Sequence, residues 1–176
     1  MTCDKSRRER RSGQSLVEFA MTFPVLMLLF VNVVNFGGLF YSAITVVNAA
    51  RNGSQYLVLG GATIGAPGHA NASLIHDLVV ADSATLLNPA NVSVRACKEN
   101  KVNPSASLCS TFGSAVFTTN PTLDSRGEAN FYTMAWVDVQ YDYEPYISLF
   151  TVPVLGVPLT TPPTTLRSRS VMRMLQ

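Results

Sequence analysis

"GQSLVEFAMTFPVLMLLFVNVVNFGGLFYSAITVVNAARNGSQYLV", residues 13–58, decides how the rest of the chain is read. From Phe19 to Ala50 it runs for 32 residues without Asp, Glu, Lys, Arg or His, whereas a membrane-spanning helix needs only about 20 apolar residues. Up to Tyr41 the stretch is apolar all round. Beyond it Ser42, Thr45, Asn48, Arg51, Asn52 and Gln55 enter at intervals of three or four, leaving Ile44, Val47, Ala50 and Tyr56 as the apolar stripe. The pattern predicts one long helix, with residues 14–41 suited to lipid or a helix bundle and an extension over 42–60 suited to packing on a domain. Pro24 removes the backbone bond to the Ala20 carbonyl and predicts a kink, Gly37 and Gly38 permit close approach, and "GGATIGAPG" ends the helix.

A single carboxylate, Glu18, stands at the threshold of this run. Ionised and unpaired in a bilayer it costs roughly 2.5 to 3.5 kcal/mol even on the lenient insertion scales, so a partner is expected. Ahead of it Lys5, Arg7, Arg8, Arg10 and Arg11 outweigh Asp4 and Glu9, and residues 1–13 carry +3 of the formal charge of +2. The remainder is slightly acidic, which argues against a basic surface for nucleic acid. A basic cluster beside an apolar span instead holds the N-terminus in the cytoplasm and places the later residues outside.

That placement sets the reading of the cysteines. Cys97 and Cys109 enclose "KENKVNPSASL", and in an oxidising compartment they read as a disulfide. Cys3 lies across the span as a bystander thiol. Around that loop, residues 71–88, "NASLIHDLVVADSATLLN", place Leu74, Ile75, Leu78, Val79 and Leu86 on one side and predict an amphipathic helix. "NVSVRAC" alternates as a half-buried strand with Val92, Val94 and Ala96 on one face. The longest strand signal is "NFYTMAWVDVQYDYEPY". Val137, Val139, Tyr141 and Tyr143 face one way there, and Asp138, Gln140, Asp142 and Glu144 the other. A proline-rich connection, "TVPVLGVPLTTPPTT", leads to "TLRSRSVMRML", whose Arg167, Arg169 and Arg173 share a face. Antiparallel to the acidic strand, those arginines are expected to pair with Asp138, Asp142 and Glu144. The fold class is α+β, a long N-terminal transmembrane helix packed on a small antiparallel sheet with a disulfide loop.

Convergent catalytic groups are hard to find. His69 and His76 are the only histidines, and surface positions near a helix start account for them better than a metal pair does. No G-x-S-x-G, H-E-x-x-H or phosphate-binding loop occurs. The Asp138, Asp142 and Glu144 stripe reads as a solvated or arginine-paired face rather than a calcium site, and Trp136 with Tyr132, Tyr141, Tyr143 and Tyr146 as core and sheet rim. Neither enzyme, metal nor cofactor is expected.

The N-terminal stretch is different in kind. A short basic leader, Gly13, then Gln14, Ser15, Leu16, Val17, Glu18 and Phe19 before a long apolar helix resembles the class III signal of type IV pilins and pseudopilins. With Asn48, Ala49, Ala50, Arg51 and Gly53 downstream, residues 13–58 are similar to the TadE-like family of the Tad (Flp, type IVc) pilus system. The resemblance implies a pilin-like fold and cleavage by a prepilin peptidase between Gly13 and Gln14. It makes residues 1–13 a leader, 14–41 a transmembrane helix, and 42–176 an extracytoplasmic domain with its helical extension 42–60 and an α+β part 61–176. Glu18, next to Phe19, is then expected to meet the new amine of a neighbouring chain during assembly. The implied partners are the peptidase, other pilin subunits, the Tad inner-membrane platform and the lipid bilayer, with no nucleic acid. The implied role is a minor pilin or pseudopilin in the bacterial inner membrane. An unprocessed membrane-anchored binding or scaffold protein is the alternative, and an ordinary secretory signal is disfavoured because its apolar region runs only about 7 to 15 residues.

Overall fold

A computed structural model describes residues 4–59, 72–99, 108–117, 132–148 and 160–175. Cys3, His69, the "GGATIGAPG" turn, most of the disulfide loop and most of the proline-rich connection lie outside the described residues. The chain divides into two units, Met1–Gly38 with Pro145–Pro162, and Leu39–Glu144 with Pro163–Gln176. Helix α1, Asp4–Val58, supplies residues to both and runs through Pro24 as helix.

In the first unit α1 stands bare. Every residue from Gly13 to Phe30 is exposed except the half-buried Leu28. Two of its polar side chains turn back on their own helix. Thr22 Oγ1 donates to the Glu18 carbonyl at 2.8 Å and Asn32 Nδ2 to the Leu28 carbonyl at 2.9 Å. Burial begins at Val31, with Asn35 one turn on along the same face. Asn35, fully buried, reaches across to the backbone of Ile147: its Nδ2 donates to the Ile147 carbonyl at 2.8 Å and its Oδ1 accepts the Ile147 N–H at 3.1 Å.

The second unit is built on an antiparallel sheet in the order β2-β1-β3-β4, with β1 Val92–Lys98, β2 Leu108–Phe112, β3 Tyr132–Tyr143 and β4 Thr164–Leu175. The expected antiparallel seating of the arginine-bearing strand beside the acidic one is present. On one face Val92, Val94, Ala96, Val137, Val139, Tyr141 and Tyr143 form the core with Val46, Ala49 and Ala50 of α1, Ile75 and Val79 of α2, and Leu86. Each fully buried valine in such a core stabilises by about 1.5 to 3 kcal/mol.

The buried stripe of α1 keeps Ala50 of the expected one, with Tyr56 packed against the core, and otherwise differs from it. Ile44 and Val47 are exposed, and Ser42, Val46, Ala49, Ala50, Gly53 and Ser54 face inward. Small residues win this face because the helix lies close against its neighbours. A Cβ at Gly53 would sit 3.1 Å from Val79 Cγ2 and 3.4 Å from Val137 Cγ1, and Ser54 Oγ meets Ser170 Oγ of β4 at 2.7 Å.

Helix α2 is shorter than its pattern predicts, Ala72–Asp82. The Ser83 N–H is shared between the Val79 and Val80 carbonyls, Leu86 N–H bonds back only to Ser83, and Pro89 disfavours helix just before itself. Ile75 and Val79 are buried while Leu74 is 48% exposed, so the apolar face is narrower than expected.

Strand β1 is also more enclosed than a half-buried strand. Ser93, Arg95 and Cys97 on its second face are buried along with Trp136 and Asp138 of β3. Gly113, at φ +96°, turns the chain sharply after β2, and a Cβ there would lie 2.8 Å from Ser93 Cα. The turn carries residues 115–117 back over β1, where Ala115 N–H donates to Ser93 Oγ at 3.1 Å and the Phe117 ring lies 5.0 Å from the Arg95 guanidinium carbon.

Candidate assembly site on the long helix

The sequence motifs fall at two places on α1. At the first, Gly13 sits within the helix, and a Cβ there would meet no atom within 4 Å. Gln14 and Glu18 are one turn apart, and Gln14 Nε2 donates to Glu18 Oε1 at 3.2 Å on an exposed surface. Phe19 and Phe23 stack obliquely with centroids 5.6 Å apart. A local side-chain amide thus occupies one oxygen of Glu18, and the rest of the carboxylate faces outward beside exposed Leu16, Val17, Phe19 and Met21. Such a surface buries its apolar atoms only in lipid or against other helices.

At the second place, Asn48, Ala49, Ala50, Arg51 and Gly53 divide by face. Ala49, Ala50 and Gly53 are the small residues that let α1 close onto α2 and the sheet, while Asn48 and Arg51 are exposed. Asn52, beside them, donates to Asp82 Oδ2 at 2.8 Å and ties the helix to the end of α2.

Cys97 and Cys109 stand directly opposite one another in the β1–β2 ladder and form the expected disulfide, with Cα atoms 4.1 Å apart. The charged stripe is organised differently from its sequence reading. Asp138 is buried, and it binds two arginines: Arg169 of β4, as expected, and Arg95 of β1, whose Nη2 and Nε lie 2.5 and 2.9 Å from Oδ2. Asp142 instead accepts from Thr165 Oγ1 at 2.8 Å, Glu144 from Asn88 Nδ2 at 3.1 Å, and Arg167 donates to Gln140 Oε1 and the Val116 carbonyl. Arg173 stands across from Met134. The ladder register decides this, since Arg167 falls opposite Gln140 and Thr165 opposite Asp142. A recess of about 210 Å³ lies beside the cluster, lined by Arg95, Phe117, Asp138 and Arg167 among others.

His76 packs against Phe112 with centroids 5.1 Å apart, and its Nδ1 lies 3.3 Å from Asp77 Oδ1. Tyr141 and Tyr143 are core, as their alternation implies, Trp136 is buried on the opposite face of the sheet, and Tyr146 is exposed. Sequence patterning passed over two residues that the structure makes central, Asn35 and Arg95. The signal for Asn35 was an amide in a run of apolar side chains, where an unsatisfied polar group is costly and therefore implies a partner.

These features define an α+β protein with an antiparallel, disulfide-linked sheet and one N-terminal helix long and apolar enough to cross a membrane. Residues 13–55 match the model of the family described as TadE-like protein. The match starts at Gly13, ends at Gln55 and spans about a quarter of the chain. No curated protein and no solved structure matches significantly.

Proposed function

We propose that this chain is a minor pilin or pseudopilin of a Tad pilus or secretion apparatus, acting in assembly rather than turnover. The observation that carries this reading is the coincidence of the family match with a bare helix. The matched segment begins at Gly13, and the 18 residues from there to Phe30 expose an apolar surface interrupted by one carboxylate, Glu18. In this reading a prepilin peptidase cuts between Gly13 and Gln14 and frees an amine one helical turn from Glu18. That amine, on a neighbouring processed chain, pairs with Glu18 inside the helix bundle, where a paired charge is tolerable and a lone one is not. The leader stays in the cytoplasm, the sheet-bearing unit lies outside the inner membrane, and the assembly platform is the partner.

N-terminal sequencing of protein purified from membranes tests this. A mature chain starting at Gln14, and one still starting at Met1 when the peptidase is removed, is the expected result. A chain that keeps Met1 in peptidase-competent cells leaves a plain anchored scaffold and overturns the proposal.

A further inference from the structure

Asn35 is buried in the first unit, within the uncharged run of α1, and its amide both donates to and accepts from the backbone of one residue, Ile147. The donor and acceptor pair copies what a neighbouring strand would offer, so the segment after β3 is clipped to α1 at a fixed level. Below that level the helix is bare from Gly13 to Phe30, about 27 Å at the α-helical rise. A bilayer's hydrocarbon core is about 30 Å thick. The chain's own atoms begin to cover the helix at Val31, where a span that starts near Gln14 would be leaving the hydrocarbon. Ile147 therefore stands at the outer edge of the span. It is 38% exposed and its neighbour Tyr146 45% exposed, on the same unit as exposed Val33, Val34 and Phe36. The stretch of α1 from Phe19 to Ala50, which carries Val33, Val34 and Phe36, holds no charged side chain. Tyrosine suits that depth, because its ring enters the acyl boundary while its hydroxyl stays with the headgroups.

From this we infer that Tyr146 and Ile147 form a second membrane contact, seated in the outer interface of the same bilayer that α1 crosses. The occupant of this apolar surface is lipid. Asn35 is the positioning residue: it satisfies the Ile147 backbone where water is scarce, as irregular chain at membrane depth requires. One consequence is that the helix leaves the hydrocarbon near Asn35 rather than near Tyr41. The inference rests on the reading of α1 as a membrane span, and its test separates the two.

The test places a nitroxide label at single cysteines in the full chain, with Cys3 replaced by Ser and the Cys97–Cys109 disulfide left oxidised, reconstituted in phosphatidylcholine and phosphatidylglycerol vesicles. Collision with oxygen, which partitions into lipid, is compared with collision with a water-soluble nickel chelate. The label at Tyr146→Cys should give an oxygen-to-nickel ratio several-fold above Thr85→Cys, an exposed site on the other unit, and below Val25→Cys in mid-span. Adding Asn35→Leu should lower the Tyr146→Cys ratio toward the Thr85→Cys value while leaving Val25→Cys unchanged. A Tyr146→Cys ratio equal to Thr85→Cys, with Val25→Cys still buried in lipid, overturns the second contact and leaves the anchor standing. A Tyr146→Cys label shielded from both reagents means that protein covers the surface, and it overturns the lipid assignment. If Val25→Cys is itself aqueous, the anchor and the second contact fall together.

Discussion

Arg95 and Asp138 face one another across the β1–β3 ladder, with Arg95 Nη2 2.5 Å from Asp138 Oδ2 and side-chain exposures of 7% and 6%. Arg169, a third exposed, approaches the same carboxylate from β4 on the other side. One buried carboxylate therefore joins three strands. Its removal breaks the buried pair with Arg95, and breaking a buried pair costs about 3 to 5 kcal/mol. Asp138→Ala should destabilise the full chain in detergent micelles by about that much in urea unfolding. Arg169→Ala should cost nearer 1 kcal/mol, because a half-open pair is screened by solvent. Equal losses from the two substitutions would show that the carboxylate does not act as the junction.

The same cluster separates what patterning makes legible from what it hides. Alternation over residues 132–143 and 164–175 marks both strands, and their charges mark them as neighbours, so Asp138 with Arg169 was readable. Arg95 was not, because alternation assigns it to a solvent face. Its burial depends on the turn at Gly113 folding residues 115–117 over β1, a long-range event with no local period. The helix face was misjudged for a related reason. A stripe chosen by side-chain size favours Ile44 and Val47, whereas close packing keeps only Ala50 of the expected positions fully buried and adds Ala49 and Gly53, which carry too little apolar surface to register in a periodicity count.

Gly53 turns that close packing into a second prediction. Replacing a helix-interior glycine by alanine ordinarily gains about 1 kcal/mol. Here a new Cβ would press to 3.1 Å on Val79 Cγ2, the tip of a side chain in the packed core. Gly53→Ala should thus be close to neutral, the propensity gain being offset by crowding. Gly53→Leu should cost about 1 to 3 kcal/mol, the usual range for overpacking. Thermal unfolding of both variants checks this, and a Gly53→Leu chain as stable as the parent would mean that the α1 packing is looser than described.

The disulfide gives a third. Cys97 and Cys109, twelve positions apart in sequence, close a short loop, and the chain-entropy model assigns such a loop about 3 kcal/mol. The pair joins β1 to the edge strand β2, so its loss should loosen β2 first, while the wide β3–β4 ladder keeps its register. Hydrogen exchange on the Cys97→Ala, Cys109→Ala double variant should show faster exchange at Ser110 and Thr111 than at Val137 and Val139. Uniform acceleration across both regions would instead indicate global unfolding and no special role for the bond at the edge.

Glu18 supplies the last prediction, and it separates assembly from folding. Its side chain is exposed and bonded only to exposed Gln14 among the described residues, so the folded chain owes it little. Glu18→Gln keeps the shape and a hydrogen-bonding oxygen but removes the charge that the proposed pairing needs. The variant should be processed, reach the membrane and unfold within about 0.5 kcal/mol of the parent, as surface substitutions usually do. Pilus assembly, scored by counting surface filaments or by crosslinking to other pilin subunits, should nevertheless fall sharply. The charge-retaining Glu18→Asp, one methylene shorter, should restore part of it. Normal assembly with Glu18→Gln would leave the carboxylate without a part in subunit contact, and loss of stability in place of assembly would move its role into the fold of the single chain.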